Sequence, residues 1–170
     1  MSRTLIQRLW KFLLVMVVQV LLLNHIHLLG YVCPVIIAYI TMNFNRGSNR
    51  VLLLLWGFAA GLVYDVFSNT MGVGMASATL LAMLQPTLLG LFTPRDAADD
   101  MEPSMRTMGA QRWLTYAFFS MLIFHIVFYA LDALTLGNLW LTLAAMGIGT
   151  AAAWVIVALA QSFIVNKKTT

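Results

Sequence analysis

The sequence predicts an all-α integral membrane protein of six transmembrane helices, and three observations carry that prediction. Hydrophobic residues make up 61% of the 170 positions and charged ones only 9%, against about 25% in an ordinary soluble domain; the mean hydropathy is +0.87. Apolar runs recur along the whole chain between short polar turns, which leaves room for about six crossings of ~20 residues and no separate soluble domain. The ten Lys and Arg form four groups between those runs: Arg3, Arg8 and Lys11; Arg46 and Arg50; Arg95, Arg106 and Arg112; Lys167 and Lys168. With six crossings every group lies on one face, which the positive-inside rule makes cytoplasmic, so both termini are expected inside. The net charge of +4 therefore reads as a topology signal. The basic residues are not gathered into a patch with interleaved aromatics, and nucleic acid is not an expected partner.

The first span is expected at residues 12–29, with Gln19 inside it and Asn24, His25 and His27 towards its far end. Its basic flank resembles that of a signal peptide, but no small-residue cleavage pattern follows, so an uncleaved helix is expected. The second span, 31–44, is too short to cross ~30 Å upright at about 1.5 Å per residue. Two readings stay open: the first helix ends near Asn24 and the second starts earlier, or Pro34 opens a short helix whose flanks are wrapped by protein. Cys33, the single cysteine, permits no intrachain disulfide and reads as a buried thiol. After the polar turn 45–50 comes the third span, 51–67. The fourth, 71–92, contains Gln85-Pro86, which predicts a kink about one turn before its end. Residues 93–112, with Pro94, Pro103 and charges of both signs, read as a solvated cytoplasmic loop. The fifth and sixth spans follow at 113–131 and 139–165.

Asp65 is the residue that most needs an explanation, because a carboxylate in an apolar run is costly in lipid. It lies fourteen residues beyond Val51, about 21 Å into a ~30 Å layer, and so in its outer part. A helix C-terminus is the wrong end of the dipole for an anion. Its donors are expected to be Ser68, the amides of the turn at 69–72, or the amino end of span four. A carboxylate that folds its own turn competes here with a functional one. Asn24, His25 and His27 gather at the same depth as His125, Tyr129 and Asp132, which are spaced along one face of span five. Together they could line an outward-facing cavity or a partner groove. They show no tight ligand motif, so neither a metal nor another cofactor is expected. Gly57 with Gly61, Gly74 with Ala78 and Ala82, and Gly149 with Ala153 repeat at the four-residue spacing that lets helices approach closely. No catalytic signature is present, and an enzyme is not expected.

With these residues laid out, the chain resembles the rod shape-determining protein MreD family over nearly its whole length, including a proline, here Pro34, that opens the second span. The most specific part is Gly61-x-x-x-Asp65-x-x-Ser68-x-x-x-Gly72 followed by a small-residue helix. Asn69 departs from the pattern, standing where the family more often has glycine. The resemblance implies a non-enzymatic component of the elongation complex of the bacterial cytoplasmic membrane, supporting lateral peptidoglycan synthesis and cell shape. It also implies MreC as direct partner, with MreB, a SEDS-type glycosyltransferase and a class B penicillin-binding protein further out. The implied fold resembles the substrate-binding S-component of energy-coupling-factor vitamin transporters. That likeness supplies a second expectation, a membrane subunit that binds a vitamin or other solute.

Overall fold

The structure, a computed structural model, describes residues 2–25, 33–70, 72–94, 97–136 and 139–167. It is 81% helix, with no strand among the described residues. Helix α1 (Ser2–Leu21) runs into a 3-10 turn, Leu23–His25. It turns Val15, Met16, Gln19 and Leu23 inward and leaves Leu9, Leu13, Val17 and Leu21 exposed. Helix α3 (Arg50–Ser68) starts at Asn49, whose side chain accepts from the Val51 amide at 2.9 Å, a regular N-cap. Its inward stripe is Leu53, Gly57, Ala60, Gly61, Tyr64 and Asp65, while Val51, Leu55, Phe58, Leu62 and Val66 point out. An outward apolar face of this kind has lipid as its solvent.

Helix α4 (Val73–Phe92) lies between α3 and helix α6 (Ala110–Leu136), and α6 packs in turn on helix α7 (Leu139–Lys167). Four stretches, Arg50–Ser68, Val73–Phe92, Ala110–Ala133 and Trp140–Ile164, are long and apolar enough to cross a membrane. The chain is a multi-pass membrane protein. Helix α4 runs uninterrupted through Pro86. The expected loop 93–112 is corrected at its second half, where a short helix α5 (Met105–Met108) and the first turn of α6 replace it. Ser104 and Thr107 form a reciprocal capping box there, and Gly109, at φ 82°, separates the two helices.

For the expected second span the structure agrees with the reading of a short helix whose flanks are wrapped by protein, except that the helix opens at Ala38 and not at Pro34. Within residues 33–44 only Ala38–Met42 is α-helical, as helix α2, and at about 1.5 Å per residue five residues cannot cross an apolar layer. The rest is irregular chain buried inside the bundle, with Val35 and Ile37 fully covered. It nevertheless follows α1 for most of its length. Cys33 Sγ lies 3.2 Å from the Leu23 carbonyl, and Asn45 accepts from Arg8 at 3.5 Å, levels about 22 Å apart along α1. Side chains take over the hydrogen bonding that a helix would have supplied. Gln19 donates to the Pro34 carbonyl at 3.3 Å and accepts from the Ile36 amide at 2.7 Å. Tyr129 donates to the Cys33 carbonyl, Tyr116 to that of Met42 and Gln85 to that of Phe44, each at 3.1 Å. Non-helical backbone is tolerated at membrane depth only when protein satisfies it in this way.

At one end of the bundle, Lys11 pairs with Glu102 at 2.6 Å, Arg46 donates to the Pro94 and Ala97 carbonyls, and the Gly47 amide donates to Asp99 at 2.8 Å. Gln161 of α7 reaches the same end through Tyr39. The other end holds Asn24, Ser68 and the α3–α4 turn.

Candidate functional site

The α3–α4 turn is built around the Asp65 carboxylate, which is 7% exposed. Its Oδ1 accepts from the Gly74 amide at 2.8 Å and from Thr70 Oγ1 at 2.6 Å, and its Oδ2 accepts from the Met75 amide at 2.9 Å. Gly74 and Met75 are the second and third residues of α4, whose N-cap position is Gly72 and lacks a capping side chain. Asp65 thus caps α4 from the neighbouring helix. The free amides and positive dipole end of α4 offset an anion that the C-terminal end of α3 disfavours.

The other members of the motif each have a separate task in the same turn. A Cβ at Gly61 would lie 2.5 Å from the Gly74 carbonyl oxygen and the Met75 nitrogen. Only glycine permits that approach, and the approach brings the α4 amides within reach of Asp65. Gly57 stands likewise against Ala78 and Ala82, and Gly74 against Asp65 and Tyr64. Asn69 closes α3 at φ 54°, the left-handed conformation that Asn tolerates best among residues other than glycine. Gly72 turns into α4 at φ 81°. Ser68 does not bond to Asp65; it accepts from Asn24 at 2.8 Å, tying the end of α1 to the end of α3.

Beside this turn lies a cavity of ≈ 440 Å³, lined by Asn24, Cys33, Tyr64, Ser68, Tyr129 and Asp132 among others. Asn24 also accepts from Gln19 at 3.1 Å. Of the expected polar cluster, Asn24, Tyr129 and Asp132 therefore share one space. His125 does not reach it. That ring is fully buried beneath Tyr129, stacked at 5.9 Å, and its Nδ1 donates to the Met121 carbonyl at 2.8 Å. Gly149 of α7 packs on the same two rings, where a Cβ would sit 3.0 Å from Tyr129 and 3.2 Å from His125; Ala153 is fully buried one turn on. His27 lies outside the described residues, as does the side chain of His25.

No family model, curated protein or solved structure matches this chain. Function must be argued from the site itself. Among the described residues no three His, Cys, Asp or Glu side chains converge as metal ligands. Gln19, Tyr64 and Thr70 belong to this site although no motif singled them out. Gln19 carried a usable signal, a lone amide in an apolar run, because such a group in a membrane must find partners. Thr70 and Tyr64 carried none, since their roles depend on how the turn closes.

Proposed function

We propose that the chain is a non-enzymatic scaffold of the MreD type in the bacterial cytoplasmic membrane. It makes six crossings, the second of them largely non-helical, with both termini inside. Its outer α3–α4 turn docks the transmembrane and juxtamembrane part of MreC. Through MreC it supports lateral wall synthesis with MreB, a SEDS-type glycosyltransferase and a class B penicillin-binding protein. The observation that carries this reading is the turn itself. Gly61, Asp65, Ser68 and Gly72 act together to hold one rigid outer corner, and the Asp65 carboxylate is engaged by three donors rather than held free for proton transfer. The clustering of Arg8, Lys11 and Arg46 at the opposite end supports the cytoplasmic assignment of that end.

The test is purification of the chain from its own membranes together with depletion in rod-shaped cells. MreC is expected in the purified material, and depleted cells are expected to round up. Recovery of an ATPase module instead, with normal cell shape on depletion, refutes the reading. The outer cavity favours a second one, a solute-binding subunit of a vitamin-type transporter. Saturable binding of a vitamin-like ligand tighter than about 1 µM would support it.

A further inference from the structure

The end of the bundle opposite the α3–α4 turn, where Lys11 pairs with Glu102, holds a cavity of its own. It has a volume of ≈ 260 Å³ and lies between α1, α2, α5 and α7, with Lys11, Tyr39, Glu102, Arg106, Gln161 and Ile164 among its walls. Its charges do not balance. Lys11 and Glu102 neutralise one another at 2.6 Å, whereas Arg106 makes no hydrogen bond or ion pair among the described residues, which leaves one cation in excess. A guanidinium left over in this way is a planar fork of donors that matches phosphate oxygens.

The same walls hold a second donor. Gln161 is only 5% exposed, and its Oε1 accepts from the Tyr39 hydroxyl at 2.8 Å. The amino group of that carboxamide has no acceptor among the described residues and is not sealed off from the cavity it lines. A nearly buried amide with a spare donor calls for an acceptor that the chain does not itself supply. Ile164, at the cavity's edge, and its neighbour Phe163 are 49% and 69% exposed, so an apolar outward surface of α7 begins where the polar walls end. A basic pocket between helices, bordered by lipid-facing side chains, suits an anionic headgroup.

We infer that this cavity binds a phosphate group, with the Arg106 guanidinium and the Gln161 amide as its donors. A single cation in excess suits a phosphodiester, with one negative charge, better than a monoester that carries nearly two. The inference does not rest on the MreD-type reading and uses the opposite end of the molecule from the α3–α4 turn. The phosphate can belong to a lipid headgroup or be free in solution.

The full chain in dodecyl maltoside is titrated with dioctanoylphosphatidylglycerol and with dioctanoylglycerol, which lacks the phosphate. Thermal unfolding and native mass spectrometry are followed. One phosphatidylglycerol per chain is expected, raising the melting temperature, with dioctanoylglycerol at least about fivefold weaker. Arg106→Gln is expected to weaken phosphatidylglycerol binding by about fivefold or more. Gln161→Glu keeps the acceptor for Tyr39 but puts a carboxylate oxygen in place of the amino group, and it is expected to lose binding as well. Arg112→Gln, at an exposed arginine outside the cavity, is expected to change nothing. Equal binding of the two lipids, or an Arg106→Gln or Gln161→Glu chain that folds and binds phosphatidylglycerol normally, overturns the inference. Equal losses in Arg106→Gln and Arg112→Gln overturn it too, since they would show only diffuse attraction to basic surface. Inorganic phosphate then assigns the source. Millimolar phosphate that displaces the lipid and itself raises the melting temperature supports a free ligand, and phosphate that does neither supports the headgroup.

Discussion

Replacing Asp65 by Ala removes the only side chain among the described residues that caps α4. The Gly74 and Met75 amides, now 2.8 and 2.9 Å from its two oxygens, would be left in a covered turn without an acceptor. An unsatisfied buried donor costs about 1–3 kcal/mol, and loss of the anion at a helix N-terminus adds about 0.3–1 kcal/mol. For the two amides and the anion together the sum is about 2–7 kcal/mol, a large share of the ~5–15 kcal/mol typical of a folded domain. Asp65→Asn keeps one acceptor oxygen, enough for Gly74 and Thr70, but turns an amino group towards the Met75 amide. Its cost is expected to be smaller, about 1–3 kcal/mol. Far-UV circular dichroism during titration of maltoside micelles with dodecyl sulfate measures both, with Ala below Asn below the parent. An Asp65→Ala chain within about 0.5 kcal/mol of the parent, the scatter of neutral surface changes, would refute the capping role.

Gly61→Ala is expected to destabilise the same unfolding transition by at least about 2 kcal/mol, since its Cβ meets backbone rather than a movable side chain. Gly90→Ala is the control: nothing lies within 4 Å of that Cβ, and the helix gains up to about 1 kcal/mol from the better helix former. Gln19→Leu should cost about 2–4 kcal/mol by stranding the Pro34 carbonyl and the Ile36 amide; stability equal to the parent would show that water or another group replaces it. In a Cys33→Ala background, Asn69→Cys and Asp100→Cys should react with a membrane-impermeant maleimide from opposite sides of intact vesicles. Reaction from the same side contradicts a crossing by α4.

The long helices were legible because their signals are local. Apolar runs broken by Asn49 and by the Asn69–Gly72 turn set α3 and α4, and glycine and alanine at four-residue spacing marked the surfaces that meet. The capping role of Asp65 could be read from one fact of chemistry, an anion at the wrong end of one helix and close to the right end of the next. The irregular path of residues 33–37 could not. Its apolar composition suits a helix equally well, and what overrides helix formation is a set of partners distant in sequence, Gln19, Gln85, Tyr116 and Tyr129. Ser68 is the same case in miniature: its spacing from Asp65 suggested a local bond, and its partner proved to be Asn24 on another helix. Asn24, Tyr129 and Asp132 line one cavity, whereas His125 turns into the core, which its four-residue spacing from Tyr129 could not show.

The covered, largely non-helical segment also constrains how the protein is made. Residues 33–44 leave the ribosome long before Gln85, Tyr116 and Tyr129, the side chains that hold three of their carbonyls. A helix carries its own hydrogen bonds into lipid, whereas this segment must wait for others. It is therefore expected to stay at the interface or in the insertion machinery until α6 arrives, making maturation of the bundle a late, concerted event rather than helix-by-helix addition.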